Sequence, residues 1–190
     1  MASEETAQHR ADRLAYCDSM GMIRPASLYE MGSSCYACHA ISDTELLEVA
    51  GHPAGDAFEF ASWSQGGIRH NFVRQGADAN PRSAPGRVRV MYLVGAALRL
   101  EHACRAVEQG ATVDRVRDAV AQLERIDAVV ELDAVTRLIG IGAGVVDGPS
   151  AKAAVAEVAA IGRLIAENGT GSAEAGIDAL IPEPVAGVVE

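Results

Sequence analysis

Residues 87–109 read RVRVMYLVGAALRLEHACRAVEQ, a long stretch in which apolar residues recur at helical intervals. The apolar positions of this stripe are Val88, Met91, Val94 or Gly95, Leu98 and Ala103. Gly110 follows the stretch and is a typical helix stop. The pattern predicts one long helix that presents an apolar face to the rest of the chain.

Three further helical segments follow this stretch. Thr112 is positioned to cap a helix over residues 113–131, and residues 132–141 continue with helical spacing. Pro149 fits the first turn of a fourth helix, over residues 150–167. Because four helices with short connections pack most simply as an antiparallel bundle, we expect a C-terminal bundle and an all-α fold.

A segment with two glycines and two prolines, residues 75–86, precedes the long helix and predicts a linker. We therefore expect an N-terminal helical module over residues 1–75, packed on a bundle over residues 76–190. Helical patterns within the N-terminal module cover residues 4–20 and about 57–65.

The N-terminal module contains Cys35-Tyr36-Ala37-Cys38-His39, which is a C-x-x-C-H run. This run is the attachment signature of c-type haem. Cysteines three residues apart share one face of a helical turn, so both thiols can bond to the vinyl groups of one haem. The next residue, His39, can then bind the iron. The motif predicts one covalently attached haem c.

Two other chemistries use similar cysteine spacing. A thioredoxin-type redox pair lies in a βαβ pattern, which does not surround this run. A zinc site would add two histidines to Cys35 and Cys38, but the sequence has no second C-x-x-C and no H-x₃₋₅-H. Haem is the favoured interpretation, and a zinc or redox-cysteine site in a helical interaction protein without haem remains an alternative.

The sixth iron ligand determines what a haem at residues 35–39 can do. His52 and His70 both adjoin residues that break helices, so each could reach the iron. Met91 is a weaker candidate because it belongs to the apolar stripe, and His102 has charged neighbours that predict a surface position. We rank His70 first, then His52, then Met91, which predicts bis-histidine ligation.

Aromatic residues concentrate between residues 16 and 72, around the C-x-x-C-H run. A flat apolar macrocycle needs such side chains as walls, and the candidates are Tyr36, Phe58, Trp63 and Phe72. Arg69 is a candidate partner for a haem propionate because a guanidinium binds a carboxylate through two hydrogen bonds.

Several short motifs in residues 30–75 together resemble a haem unit of the cytochrome c-554-like, multihaem cytochrome c family. They are Ser34-Cys35-Tyr36-Ala37-Cys38-His39, Gly51-His52-Pro53-Ala54-Gly55, Phe58-Glu59, Trp63-Ser64-Gln65-Gly66 and Arg69-His70-Asn71-Phe72. In such units separate histidines after C-x-x-C-H serve as distal ligands, which the resemblance implies for His52 and His70. The chain departs from the family in having a single C-x-x-C-H run.

Charge and composition restrict the partners of the chain. The formal net charge is −10, and Lys152 is its only lysine. Such a surface disfavours nucleic acid and anionic membranes and suits a redox partner with a basic docking surface. No apolar run is long enough to span a bilayer. The given N-terminus has no signal-peptide pattern, yet c-type haem attachment occurs outside the cytoplasm, so we expect a periplasmic or extracytoplasmic protein whose leader is removed.

Two cysteines lie outside the motif. Cys17 and Cys104 each fall within a predicted helix, and they would form a disulfide in an oxidising compartment or act as small buried side chains.

These patterns favour a monohaem c-type cytochrome that transfers electrons, and an electron carrier more than an enzyme. A single haem would serve a protein partner or line up with other haems in a homo-oligomer. The alternative with haem is a five-coordinate gas sensor or small haem oxidoreductase, with His52 or His70 above an open site.

Overall fold

The computed structural model describes residues 5–41, 43, 45–46, 49–51, 55, 57–66, 82–172 and 174–185. Within these ranges the regular structure is entirely helical, so the prediction of an all-α fold is confirmed. In chain order the helices are α1 (Ala7–Ser19), α2 (Leu28–His39), α3 (Phe60–Ser64), α4 (Pro85–Glu108), α5 (Asp114–Asp127), α6 (Asp133–Ala143), α7 (Gly148–Asn168) and a 3₁₀ helix (Ala175–Leu180).

Helix α4 is the centre of the core. Its residues from Val90 to Val107 are nearly all buried, and α2, α3, α5 and α7 pack against it. Pro85 lies in its first turn, where the missing amide hydrogen is not needed. The long helix predicted over residues 87–109 is therefore present, and it begins within the segment predicted as a linker.

Helices α5, α6 and α7 follow α4 with short connections. Helices α5 and α6 pack on each other, and α7 makes its main contact with α4. Asp147 begins α7 with a capping box, in which its carboxylate accepts a hydrogen bond from the backbone nitrogen of Ser150 at 2.9 Å. Gly142 of α6 is so close to Leu100 and Val120 that a larger side chain would displace them.

Helices α2 and α3 join the same hydrophobic core as α4 and α7. Gly32 brings α2 close to Leu98 of α4 and to Phe60 of α3, since a Cβ atom at this position would lie 2.6 Å from a Leu98 methyl group. Helices α2 and α3 thus pack directly on α4. Residues 67–81, which include most of the predicted linker, lie outside the described ranges.

Helix α1 is capped by Thr6 and has no buried residue. All four cysteines are free thiols: Cys17 of α1 is half-buried, and Cys104 of α4 is fully buried among apolar side chains. Among the helices that the structure describes, none combines the length and the apolar character that crossing a membrane requires.

Candidate functional site

The C-x-x-C-H run forms the last turn of α2, where the helix leaves the core. Tyr36 is buried and Cys35 is half-buried against the core, whereas Cys38 and His39 are exposed. The helix ends at His39, and the amide of the next residue, Ala40, donates to the Tyr36 carbonyl at 2.8 Å. The run therefore offers two thiols on adjacent turns and an imidazole at the surface of the molecule.

The His39 ring lies against two aromatic side chains. It stacks on Phe58 with ring centroids 4.6 Å apart and an interplanar angle of 6°, and the Trp63 ring centroid is 5.3 Å away. Stacking covers a face of the imidazole and leaves the ring edge, which carries the nitrogens, free to act. Within the described part of the chain, neither ring nitrogen forms a hydrogen bond.

Phe58 and Trp63 form an apolar surface beside the motif. Phe58 is 7% exposed and Trp63 is 39% exposed, and their ring centroids are 5.4 Å apart. Helix α3, which carries Trp63, is capped by the half-buried Glu59. The Glu59 carboxylate accepts from the backbone nitrogens of Ala61 at 2.9 Å and Ser62 at 2.6 Å. Trp63 is therefore a partly exposed aromatic side chain next to His39, and Phe58 lies buried beside both.

Gly55 lies directly against the end of the motif. Its φ angle is +74°, and a Cβ atom at this position would collide with the carbonyl group of His39. Only glycine combines this backbone conformation with so close an approach. Gly55 therefore places the chain that precedes Phe58 next to His39.

Tyr36 and His102 form the inner layer of the site. The Tyr36 hydroxyl donates to the Gly95 carbonyl at 3.0 Å, and its ring lies 5.0 Å from Phe58 and 5.5 Å from His102, measured between centroids. His102 is half-buried, contrary to the surface position expected from its charged neighbours. Its position four residues after Leu98, on the apolar stripe of α4, is the sequence signal that points to this contact.

Burial controls the titration of several groups here. It raises the pKa of the Cys35 thiol, which the neighbouring Cys38 raises further, and the hydrogen bond with Ser34 opposes it. Burial also raises the pKa of the Glu59 carboxyl and lowers that of the His102 imidazole.

A small cavity of about 40 Å³ lies behind the aromatic rings. Tyr36, Phe58 and His102 line it together with the charged side chains of Arg99 and Arg115. This volume holds one or two water molecules and excludes a macrocycle. Arg115 also donates to the Ile41 carbonyl at 2.7 Å, which ties α5 to the end of the motif.

Several predicted site residues lie outside the described ranges, namely His52, Arg69, His70 and Phe72. Met91, the third candidate for the sixth ligand, is completely buried in the core, and its sulfur lies 3.9 Å from the side-chain nitrogen of Gln65. The structure therefore brings Cys35, Tyr36, Cys38, His39, Phe58 and Trp63 together and places Met91 in the packed interior.

The motif supplies Cys35, Cys38 and His39, the residues that a c-type haem would use. Within the described ranges, no three His, Cys, Asp or Glu side chains converge closely enough to hold a metal. Haem attachment needs no such convergence, because the thiols bond to the macrocycle and the protein supplies one nitrogen on this side. Cys35, Cys38 and the exposed ring edge of His39, next to Trp63, meet these requirements.

Comparison with known proteins gave no match: no family model fits the chain, and no curated protein or solved structure is significantly similar to it.

Proposed function

We propose that this protein is a monohaem c-type cytochrome that carries electrons, with one haem c bound through Cys35 and Cys38 and with His39 as an axial ligand. One observation carries the proposal. The last turn of α2 presents two free thiols and an exposed histidine beside the apolar surface of Phe58 and Trp63. The haem would supply one-electron chemistry at iron.

The residues around the motif orient His39 and shield it. The parallel stack on Phe58 restricts rotation of the imidazole, and Gly55 fixes the backbone at the His39 carbonyl. Tyr36 anchors the turn to α4 through its hydrogen bond with the Gly95 carbonyl. These contacts would hold the His39 imidazole in one orientation for binding the iron.

We propose His70 as the second histidine ligand of the iron, with His52 as the second choice. Two histidine ligands would leave no open site at the iron, as an electron carrier requires. In His70→Ala protein the sixth position opens, so the reduced protein should bind carbon monoxide, whereas His52→Ala serves as the matched variant. An unchanged low-spin spectrum in His70→Ala would reject His70, and loss of it in His52→Ala would assign the ligand to His52.

Acidity and the covalent cofactor suggest the partner and the compartment. A net charge of −10 favours docking on a basic redox protein, with an association rate that falls as salt increases. Because c-type haem is attached outside the cytoplasm, we place the protein in the periplasm or another extracytoplasmic space.

Covalent attachment tests the proposal directly. The full chain is expressed with an export signal in cells that attach c-type haem, and its mass is measured under denaturing conditions. We expect the added mass of one haem in the unaltered protein and in the control Cys17→Ala, and its loss in Cys35→Ala/Cys38→Ala. Protein without added mass, from cells that mature another c-type cytochrome normally, would contradict the proposal.

A further inference from the structure

The last residues that the structure describes, residues 181–185, run beside α3 after the 3₁₀ helix. They form no regular secondary structure, and Pro182 and Pro184 lie among them. An open cavity of about 310 Å³ lies between this segment, α3 and the start of α4. We call residues 181–185 the strap.

The chain just before the strap is bound firmly to α4. The side chain of Arg89 donates to both carboxylate oxygens of Asp178 in the 3₁₀ helix, each at 2.6 Å, and to the Gly171 carbonyl at 2.7 Å. Ile177 of the same helix is completely buried. The strap therefore begins at a fixed point on α4.

The far end of the strap contacts the C-terminal end of α3. The Val185 amide donates to the Ser62 carbonyl at 3.2 Å. Because the last carbonyl groups of a helix have no partner within the helix, this hydrogen bond satisfies one of them. Gly66, just after α3, lies so close to the Val185 carbonyl that a Cβ atom at this position would collide with it. Val185 thus closes the end of α3.

The strap forms little hydrogen bonding with the rest of the molecule. Within the described part of the chain, the bond from Val185 to Ser62 is the only hydrogen bond of residues 181–185. Val185 is 36% exposed, and the residues between it and the 3₁₀ helix line the open cavity. A segment with so few hydrogen bonds opens at a low free-energy cost. The strap can therefore detach at Val185 while Asp178 stays bound to α4.

Helix α3 connects the strap to the surface around His39. The helix has only five residues, and a helix this short is unstable without contacts from the rest of the chain. Phe60 and Gln65 are buried and attach it to the core. Trp63 directly follows Ser62, and its ring centroid is 5.3 Å from that of His39. A contact made at Ser62 therefore affects the position of Trp63.

We propose that the strap is a detachable element that holds the last turn of α3, and with it Trp63, beside His39. Its release at Val185 loosens this turn, moves Trp63 away from His39 and widens access to the end of α2. The C-terminal segment thereby controls the exposure of the C-x-x-C-H run. The strap acts on the surface of the proposed haem site, but its release does not depend on haem attachment.

Hydrogen exchange of the full-length protein, followed by mass spectrometry, tests the strap. Val185→Pro removes the amide that donates to Ser62, whereas Val185→Ala keeps it. We expect the amides of residues 61–66 to exchange about fivefold faster in Val185→Pro, the effect of losing one hydrogen bond, and to be nearly unchanged in Val185→Ala. Exchange in α7 should be the same in both variants, which shows that the core stays folded.

A second variant tests the same contact from the side of α3. Gly66→Ala adds a methyl group that collides with the Val185 carbonyl and should also speed exchange in α3, whereas Gly140→Ala, with open space around it, should not. Hydroxyl-radical labelling of Trp63, the only tryptophan, should increase in Val185→Pro.

Three results would overturn the proposal. They are unchanged exchange in α3 in both Val185→Pro and Gly66→Ala, unchanged labelling of Trp63, and exchange that becomes equally faster in α7. Each result is read by mass and is independent of whether Cys35 and Cys38 carry haem, so failure of the strap is distinguishable from failure of the proposed function.

Discussion

The middle of α4 and the end of α2 place cysteine in opposite environments, one buried and one exposed. Cys104 of α4 is fully buried, and burial raises its pKa to about 11, so it remains a protonated thiol that fills space. Cys38, which directly precedes His39 at the end of α2, is exposed. The contrast teaches that the core supports the motif while leaving its reactive groups accessible.

The two regions also differ in the contacts that stabilise them. The middle of α4 depends on apolar packing, whereas the end of α2 depends on a few specific contacts made by Gly55, Tyr36 and Phe58. Substitutions in the first region should therefore change the stability of the whole fold. Those in the second should change the site at a smaller free-energy cost.

The largest effect is expected from Leu98→Ala, which removes a fully buried side chain between α4 and α2. We expect the free energy of unfolding to fall by about 3 kcal/mol, because a cavity remains in the core. Urea denaturation measures this loss. Leu164→Ala, at a side chain that is 49% exposed, is the control and should lose much less. Equal losses would mean that α4 is not the centre of the core.

A smaller effect is expected from Gly55→Ala, compared with Gly51→Ala. Both glycines have positive φ angles, but only Gly55 approaches the backbone of His39, and Gly51 has open space around its Cα. We expect a loss of about 2 kcal/mol for Gly55→Ala and about 1 kcal/mol for Gly51→Ala. Chemical denaturation of the two variants isolates the contribution of the close approach between Gly55 and His39. Indistinguishable losses in the free energy of unfolding would show that Gly55 does not position the motif.

Tyr36→Phe should have a still smaller effect. It removes the buried hydrogen bond that the Tyr36 hydroxyl donates to the Gly95 carbonyl, at a cost of about 1 kcal/mol. Tyr16→Phe, at a tyrosine that is 66% exposed, is the matched control. If both variants unfold at the same urea concentration as the unaltered protein, the Tyr36 hydroxyl does not anchor α2.

The smallest effect concerns pH. Burial lowers the pKa of His102 in the folded state below the ordinary value of 6.5, although Glu101 opposes the shift. The unfolded chain then takes up a proton at higher pH than the folded one, so stability is greatest above pH 6.5 and falls as pH decreases through the folded-state pKa.

His102→Gln should therefore flatten the dependence of stability on pH in this window. Denaturation curves at several pH values measure it, and His9→Gln, at an exposed histidine, is the control. A slope that persists in His102→Gln would assign the effect to another group.

Local pattern predicts much of the fold. The stripe of residues 87–109 and the stops around residues 148–169 give α4 and α7 nearly as observed, because helix spacing and capping are local properties. Contacts between residues that are distant in sequence are harder to predict from the sequence. Glu101 has charged neighbours yet is 2% exposed, because it accepts a hydrogen bond from the Tyr29 hydroxyl, 72 residues away in sequence.

In the candidate site too, the local motif is predictable from the sequence, whereas the contacts between helices are not. The C-x-x-C-H run identifies Cys35, Cys38 and His39 without any structure, because the chemistry requires those residues at that spacing. The stack of His39 on Phe58 and the place of His102 behind Tyr36 depend on how α2, α3 and α4 pack. Such contacts follow from tertiary packing, which the sequence pattern near each residue does not encode.

The central claim is that the end of α2 carries a six-coordinate haem c. The most direct measurement is the reduced-minus-oxidised visible spectrum of the protein matured with covalently attached haem, recorded with and without carbon monoxide. We expect the sharp α-band of c-type haem, unchanged by carbon monoxide and absent in Cys35→Ala/Cys38→Ala. A protein without this band contradicts haem attachment, and a band that shifts with carbon monoxide contradicts six-coordination.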